Sequence, residues 1–600
     1  MVKKAPQLLN NLNSTGITMK SDNSNEIHLV EKRDTVEVHL PDGRVLCGKR
    51  DTPVEKFLKT LPEWNDSYIV GAVINHDLRE LTYPIHMDAV VTPVLMTSAD
   101  GARIYRRSLT FLLETAFEIE FNQGKLAVDH SVASGGFFCQ IVGREPLSNA
   151  ELKRLNQRML ELIDADLPFA KHEVPLQEAI EFFGKKGEHE KVRLLKYRQK
   201  PYLVLYELAN HRDYHHGYMV PSTGYLKWFR LMPMGDNFVL QYPHQASPTV
   251  VDTISDSSQL LSTFRQYGNW LNKLGVESVG ALNDVINAGQ IDEIILVSEA
   301  LHEMNIADIA STIVEQRDRI KIILISGPSS SGKTTFSKRL AVQLLAQGVS
   351  PYALELDNYF VDRELTPLDE KGEYDYESLS AVSTDLLNRD LQKLIAGETV
   401  QLPRYNFKTG KREPGEWATV GEDQVIILEG IHGLNPGLIP LIPTGQTFRI
   451  YASCLTQLNL DRQNRISTTD TRLIRRIVRD ARERGYSAQQ TLQRWDSVRR
   501  GEKKHIFPYQ EYADEMFNSA LVFELSALKP LVEPLLRQVP YGTSEYIEAK
   551  RLLTLLDWFL PIDPSSVPDN SLLREFLGGS ILQKFTMWHD SSNRTPTIIN

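Results

Sequence analysis

The stretch "LISGPSSSGKTTF", residues 324–336, sets glycine, lysine and threonine at the spacing Gly327-x-x-x-x-Gly332-Lys333-Thr334. Glycines at these points let backbone N–H groups turn inward around phosphates, so Gly327, Pro328, Ser329, Ser330, Ser331, Gly332 and Thr335 form the wall of an anion cradle. Lys333 adds a point charge near the β/γ oxygens, and the Thr334 hydroxyl can bind Mg²⁺. A glycine/serine turn that happens to contain lysine is the bland alternative. An apolar strand precedes the loop and a helix ending at Gly348 follows it, which favours binding of a nucleoside triphosphate. The loop alone does not say where the phosphate goes.

Further stretches bear on the acceptor. "LELDNYF" brings Asp357 to the end of the next apolar strand, the edge where open α/β sheets gather their active groups. A carboxylate there can accept a proton from an attacking hydroxyl, or merely cap a turn. "VIILEG" ends in Glu429, an acid that can orient Mg²⁺ directly or through water. "YDYESL" offers Asp375 between tyrosines, and "LPRYNFKTGKR" offers Tyr405 and Phe407; such rings suit a flat heterocycle and its sugar, or plain packing. In "DTRLIRRIVRDARERGYSAQQ", Arg472, Arg476 and Arg479 share a helical face, with Arg475 and Arg482 on its flank. Such a face could bind RNA, bind acidic protein or close over phosphates. The chain carries a net charge of −10 and a pI of about 5.9, so a phosphate lid is the preferred reading.

These groups need a scaffold. "RIKIILISG", "PYALELD", "QVIILEG", "TFRIYAS" and "ALVFEL" read as buried strands with helices between them, giving a doubly wound, mainly parallel α/β domain. Earlier, hairpin signals at Pro41-Asp42-Gly43 and Asn75-His76-Asp77 mark a small β-rich module, and an amphipathic helix follows a cap at Ser148/Asn149. The expected division is a polar N-terminus over 1–26, the β-rich module over 27–92, an α+β domain over 93–250, a helical connector over 251–318, the P-loop domain over 319–535 and a C-terminal helical extension over 536–600. No secretory apolar core is visible at the N-terminus, and no run reaches the ~18 apolar residues of a membrane span. Cys47, Cys139 and Cys454 are scattered and fit reduced thiols. A cytoplasmic protein with no membrane partner is expected, with homo-oligomerisation left open.

Residues 319–526 resemble the uridine kinase and phosphoribulokinase family, most closely the uridine–cytidine kinases. The P-loop, "LDNYF", the acid of "YDYESL", "LPRYNF", "ILEGI" and "DTRLIRRIVRDARERG" occur in the family's order. The resemblance implies phosphorylation of a nucleoside 5′-hydroxyl with ATP and Mg²⁺. It makes Asp357 the general base, sets Asp375 and Arg476 on the ribose hydroxyls, assigns Arg479 and Arg484 to a phosphate-facing lid, and puts Tyr405 and Phe407 around the base. The sequence departs from the family at Gly410, where a histidine reads the pyrimidine edge, at Tyr486 in place of arginine, and at Arg494 in place of glutamine. The base therefore stays open, and a phosphorylated pentose is the alternative acceptor.

Residues 27–92 resemble the TGS module, and 105–245 the editing-type domain, of threonyl-tRNA synthetases. The carriers are "VHLPDGR", "DHSVASGGFFCQI", "PLSNAELKRLNQRMLELI" and "VPSTGYLKWFRLM". The family's His-x-x-x-His pair falls on Arg107 and Phe111, and its Cys-x-x-x-His pair on His215 and Met219. Editing catalysis is not expected, nor is zinc at His211, His215 and His216, for want of matching ligands. The front half is expected to be a binding or regulatory module that senses RNA or a nucleotide. An RNA-associated regulator switched by ATP is the reading from another class. The tail around "SLLREFLGGS" is expected to pack on the kinase domain.

Overall fold

The computed structural model describes residues 33–586, apart from 65–67, 133–134, 253–257, 369–371 and 373. The polar segment expected at 1–26 lies outside the described residues, as does the chain beyond 586.

Five parallel strands form the sheet of the second half, in the order Ser350–Glu355, Gln424–Glu429, Ile322–Ser326, Thr447–Ser453, Glu515–Asn518. Alternate residues of the central strand enter different cores. Ile322 and Leu324 join Tyr352, Leu387 and Leu391, whereas Ile323 and Ile325 join Phe336, Leu340 and Ile474. A strand covered on both faces must be apolar at every position, which accounts for the unbroken run in "IILIS". "ALVFEL" is not a strand, contrary to the sequence expectation. The fifth strand is "EMFN", and the Asn518 side chain ends it by accepting from the Leu455 N–H (2.9 Å) and donating to the Leu455 carbonyl (3.1 Å). Ala520–Phe523 then form a buried turn into the helix Glu524–Arg537. A short apolar run has no period that separates strand from buried turn.

In the front half, a five-stranded sheet runs Val45–Lys49, Thr35–His39, Ala89–Leu95, Ile69–Ile74, Asp77–Arg79. Asn75 and His76 hold φ of +47° and +70°, the left-handed pair that matches hairpin twist. The long helix Ala99–Glu120 follows, then a four-stranded sheet and a three-stranded sheet of Ala170–Pro175, Tyr202–Leu208 and His211–Asp213. Ser148 caps its helix through a reciprocal bond with Glu151. Helices Ser258–Leu274, Val279–Asn287 and Ile291–Glu315 lead to the P-loop strand.

The halves are joined at a loop. Residues 454–467, between the strand Thr447–Ser453 and the arginine-rich helix Thr468–Glu483, reach back to the front half. The Arg462 carbonyl accepts from the Val128 N–H (2.8 Å), Arg465 Nε donates to the Asp129 carbonyl (2.9 Å), and Asn464 Oδ1 accepts from the His216 N–H (3.0 Å). The C-terminal extension packs on the P-loop domain, where Glu575 meets Thr335, and on the front half too: Tyr541 donates to the Asn75 carbonyl (2.6 Å), and Lys550 pairs with Asp77 (2.6 Å). Among the described residues no helix is long and apolar enough to cross a membrane.

Candidate active site

The P-loop strand ends in a turn that tolerates no side chain at its two glycines. A Cβ on Gly327 would lie 1.9 Å from the Ala452 carbonyl oxygen, and one on Gly332, at φ +86°, 2.4 Å from Leu572. The helix Lys333–Ala346 begins there, with its first N–H groups free of helical partners. Thr334 Oγ1 donates to Glu429 Oε1 (2.9 Å), and Lys333 Nζ donates to the Pro328 carbonyl (3.2 Å).

Parallel pairing sets Glu355 beside Glu429, so Asp357, two residues further on, stands at the same sheet edge. Its side chain is exposed and makes no hydrogen bond to a described residue. Desolvation and Glu355 raise its pKa above the usual carboxylate range, against the pull of Lys333 and Arg484. Glu429 is pushed up to about 7 by desolvation; Lys333 opposes the shift, while Glu575 and Asp357 add like charge. Acidic groups therefore outnumber the cation at this spot.

The arginine helix divides, which corrects the reading of one ligand-facing row. Arg472 and Arg475 are fully buried. Arg472 is paired with Glu502 and donates to the Ser329 carbonyl (3.0 Å); Arg475 is paired with Glu524 and donates to the Ser519 carbonyl (2.8 Å). Both brace the P-loop from behind. Arg476 Nη1 donates to Ser329 Oγ (2.8 Å), while Arg479 and Arg484 meet at Asp480, at 3.0 and 3.4 Å. Arg482 donates to the Glu575 carbonyl (2.8 Å) and to that of Phe576.

Asp375 accepts from the Glu377 N–H (3.2 Å) and lies 3.7 Å from His505 Nε2. Its electrostatic meeting point with Arg476 is Glu377, whose carboxyl is pushed up to about 7 by desolvation and Glu502. Tyr405 is buried edge-on to Phe360 and Phe407, whose centroids are 5.6 and 5.0 Å away; Phe407 itself is exposed. Beside them the Arg363 guanidinium occupies the room left by Gly410. It donates to the Phe407 carbonyl (2.8 Å), and a Cβ on Gly410 would come within 2.8 Å of it.

Three groups at the loop escaped the sequence reading. Glu502 accepts from the Ser329 N–H (2.9 Å), Glu377 packs against Gly501, and Glu575 of the extension accepts from the Thr335 N–H (3.3 Å) and Thr335 Oγ1 (2.9 Å). Glu575 lies 240 residues from Thr335, and no local spacing announces it.

The profile of the phosphoribulokinase/uridine kinase family matches residues 322–522. A uridine kinase from Ligilactobacillus salivarius is 33% identical over 194 residues, 32% of this chain and 82% of the relative. This chain belongs to the phosphoribulokinase/uridine kinase family. A uridine kinase from Brevibacillus brevis is 34% identical over the same shares. As a member of that family, the chain is a phosphotransferase acting on a hydroxyl group. The N-terminal region is similar to threonine–tRNA ligases: that of Desulforamulus reducens is 28% identical over 198 residues, and the chain spans 31% of its length. A solved structure described as a possible uridine kinase from Bacillus stearothermophilus covers 36% of this chain and 98% of its own, at 18% identity and a TM-score of 0.25, too slight a likeness to carry an argument.

Proposed function

We propose that this family member transfers the terminal phosphoryl group of ATP to the 5′-hydroxyl of a nucleoside. The observation that carries the reading is Asp357, exposed at the sheet edge with no side-chain hydrogen bond to a described residue, and within electrostatic reach of Lys333 and of the Thr334–Glu429 pair. A basic carboxylate so placed takes the proton of the acceptor hydroxyl as its oxygen attacks phosphorus, and the bond to the departing diphosphate breaks. Lys333 and the P-loop N–H groups of residues 327–335 hold the phosphates, and Arg479 and Arg484 disperse their charge from the lid side. Asp375 and Arg476 orient the sugar, with Tyr405 and Phe407 at the base.

Thr334 and Glu429 fit Mg²⁺. Their oxygens lie 2.9 Å apart, and Lys333 is a single cation facing Glu429, Asp357 and Glu575, so a divalent ion suits the charge balance there. When bound, the ion neutralises charge on the phosphate oxygens. A phosphorylated pentose is the second acceptor, favoured by Arg363: a guanidinium stands where the family reads a base edge.

In this proposal the front half serves regulation as a TGS-like module followed by an editing-type domain without its catalytic residues, with RNA or a nucleotide as the sensed ligand. Its likeness to threonine–tRNA ligases supports that assignment. The kinase reading is tested by coupled ATP turnover against a nucleoside panel and pentose phosphates. Asp357→Asn should lower kcat by roughly 10²–10⁴ while nucleotide binding persists. Unchanged kcat would remove Asp357 from the mechanism, and no turnover with any acceptor, together with salt-sensitive RNA binding, would favour the switched regulator.

A further inference from the structure

Where the loop 454–467 runs into the helix Thr468–Glu483, side chains from both halves of the chain gather around two aromatic rings. The Arg106 guanidinium lies over the Tyr242 ring, 4.4 Å from its centroid, and that of Arg465 lies over the Phe137 ring at 5.1 Å. The two rings meet edge to face, with centroids 4.9 Å apart. Arg499 Nη1 donates to Thr469 Oγ1 (2.7 Å), and Lys503 stands one turn along the same face of the helix Ala488–His505. Arg106, Arg465 and Arg499 are half-buried and Lys503 is exposed, so the group stays within reach of solvent.

The nearby carboxylates are already engaged. Asp470 accepts from both Nη atoms of Arg551 (2.8 Å each), Glu548 accepts from Arg103 (2.8 Å) and Arg551 (2.6 Å), and Glu502 is paired with Arg472. Among the described residues, none of Arg106, Arg465, Arg499 and Lys503 forms an ion pair. Arg465 donates to the Asp129 carbonyl and to Ser131 Oγ (3.0 Å), while the Nε atoms of Arg106 and Arg499 are buried without a hydrogen-bond partner. Desolvation, Arg472 and Arg106 hold the Arg499 guanidinium below its ordinary value, against Glu502 and Asp470. Desolvation, Arg499 and Arg106 do the same to the Lys503 ammonium, against Asp496. Like charges drawn together away from bulk water repel, and an anion set among them removes that cost.

We propose that Arg106, Arg465, Arg499 and Lys503 form a binding site for a small phosphate-bearing anion at the seam between the front half and the kinase domain. Guanidinium forks meet phosphate oxygens with paired N–H bonds, and an ammonium adds a point charge. A small ligand suits the place better than a nucleic acid, because the cations form one cluster on a chain whose net charge is −10. None of the four bonds the P-loop, where Lys333, Arg472 and Arg476 reach residues 328 and 329. Arg499 holds the start of the helix that carries Arg476 and Arg479, so the anion would join Arg106 of the front half to the stem of the phosphate-side arginines. The site is independent of the acceptor that the kinase uses.

The test is calorimetry on the full chain, its P-loop loaded with about one equivalent of a non-hydrolysable ATP analogue, titrated with pyrophosphate. About one equivalent of pyrophosphate should bind, with a Kd at least about tenfold higher in Lys503→Gln and in Arg106→Gln. Lys503 is exposed, and its variant supplies the reading if Arg106→Gln does not fold. Added salt should weaken the binding in wild type. Excess analogue that competes with pyrophosphate for this site would name a nucleoside triphosphate as the occupant; pyrophosphate binding that persists in excess analogue would name a phosphate compound without a base. No pyrophosphate uptake by loaded wild type, uptake of equal affinity in both variants, or an RNA oligonucleotide whose binding the variants weaken while pyrophosphate does not bind, would overturn the proposal.

Discussion

Glu575 offers the sharpest perturbation of the nucleotide site. Its carboxylate accepts from the Thr335 N–H and hydroxyl, at 3.3 and 2.9 Å, at the mouth of the helix whose free N–H groups are the cradle for phosphate. Carboxylate and phosphate compete for the same donor, so a triphosphate that uses Thr335 must first displace Glu575. Hydrogen bonds to a charged group contribute about 1.5–3 kcal/mol each, much of which the incoming phosphate restores. A net closing energy of about 1.4 kcal/mol leaves roughly a tenth of the molecules open, and apparent affinity falls by that fraction. Glu575→Gln keeps the side-chain shape and removes the charge. Titration of full-length protein with an ATP analogue, by calorimetry, should therefore show Kd up to about tenfold lower than wild type, with Glu575→Ala at the same limit. The loss of a helix-end anion should lower stability by only about 0.5–1 kcal/mol, so both variants should remain folded. An unchanged or weaker Kd would refute the competition and leave Glu575 as a cap that coexists with phosphate.

Other perturbations have equally direct readouts. Glu377 titrates near 7 in the fold and near 4.3 in an unfolded chain, so its ionisation costs stability as pH rises between those values. Glu377→Gln should match wild type in unfolding free energy near pH 4.5 and exceed it at pH 8, by about 2 kcal/mol after allowance for its partial exposure, in denaturant melts; an equal difference at both pH values would refute this. Arg475→Met leaves Glu524 buried without its partner and should destabilise by about 3–5 kcal/mol, while the double variant Arg475→Met/Glu524→Leu should recover most of the loss in denaturant melts. Gly410→His alone should impair acceptor use, because Arg363 fills the space. Combined with Arg363→Ala it should restore binding and shift preference toward pyrimidines, as KM values across a nucleoside panel would reveal.

The P-loop, the strand-end acids Asp357 and Glu429 and the strands that carry them were legible because each depends on local spacing and on the apolar demand of a strand buried on both faces. The arginine helix was legible as a helix but not in its division. Arg472 and Arg475 face inward only because Glu502 and Glu524 lie opposite, 30 and 49 residues away. "ALVFEL" misled because burial in a turn and burial in a strand need the same residues. Glu575 and Arg363 had no signature, since each meets its partner through tertiary folding.

The loop 454–467 has a consequence for inheritance. The backbone that hands Arg462, Asn464 and Arg465 to the front half runs straight into the helix bearing Arg476 and Arg479. A gene trimmed to its kinase portion would encode a protein whose Arg476 and Arg479 helix follows a loop that has lost its bonds to Val128, Asp129 and His216. Replacing either part with a foreign counterpart would therefore require the fourteen-residue loop 454–467 to be redesigned with it.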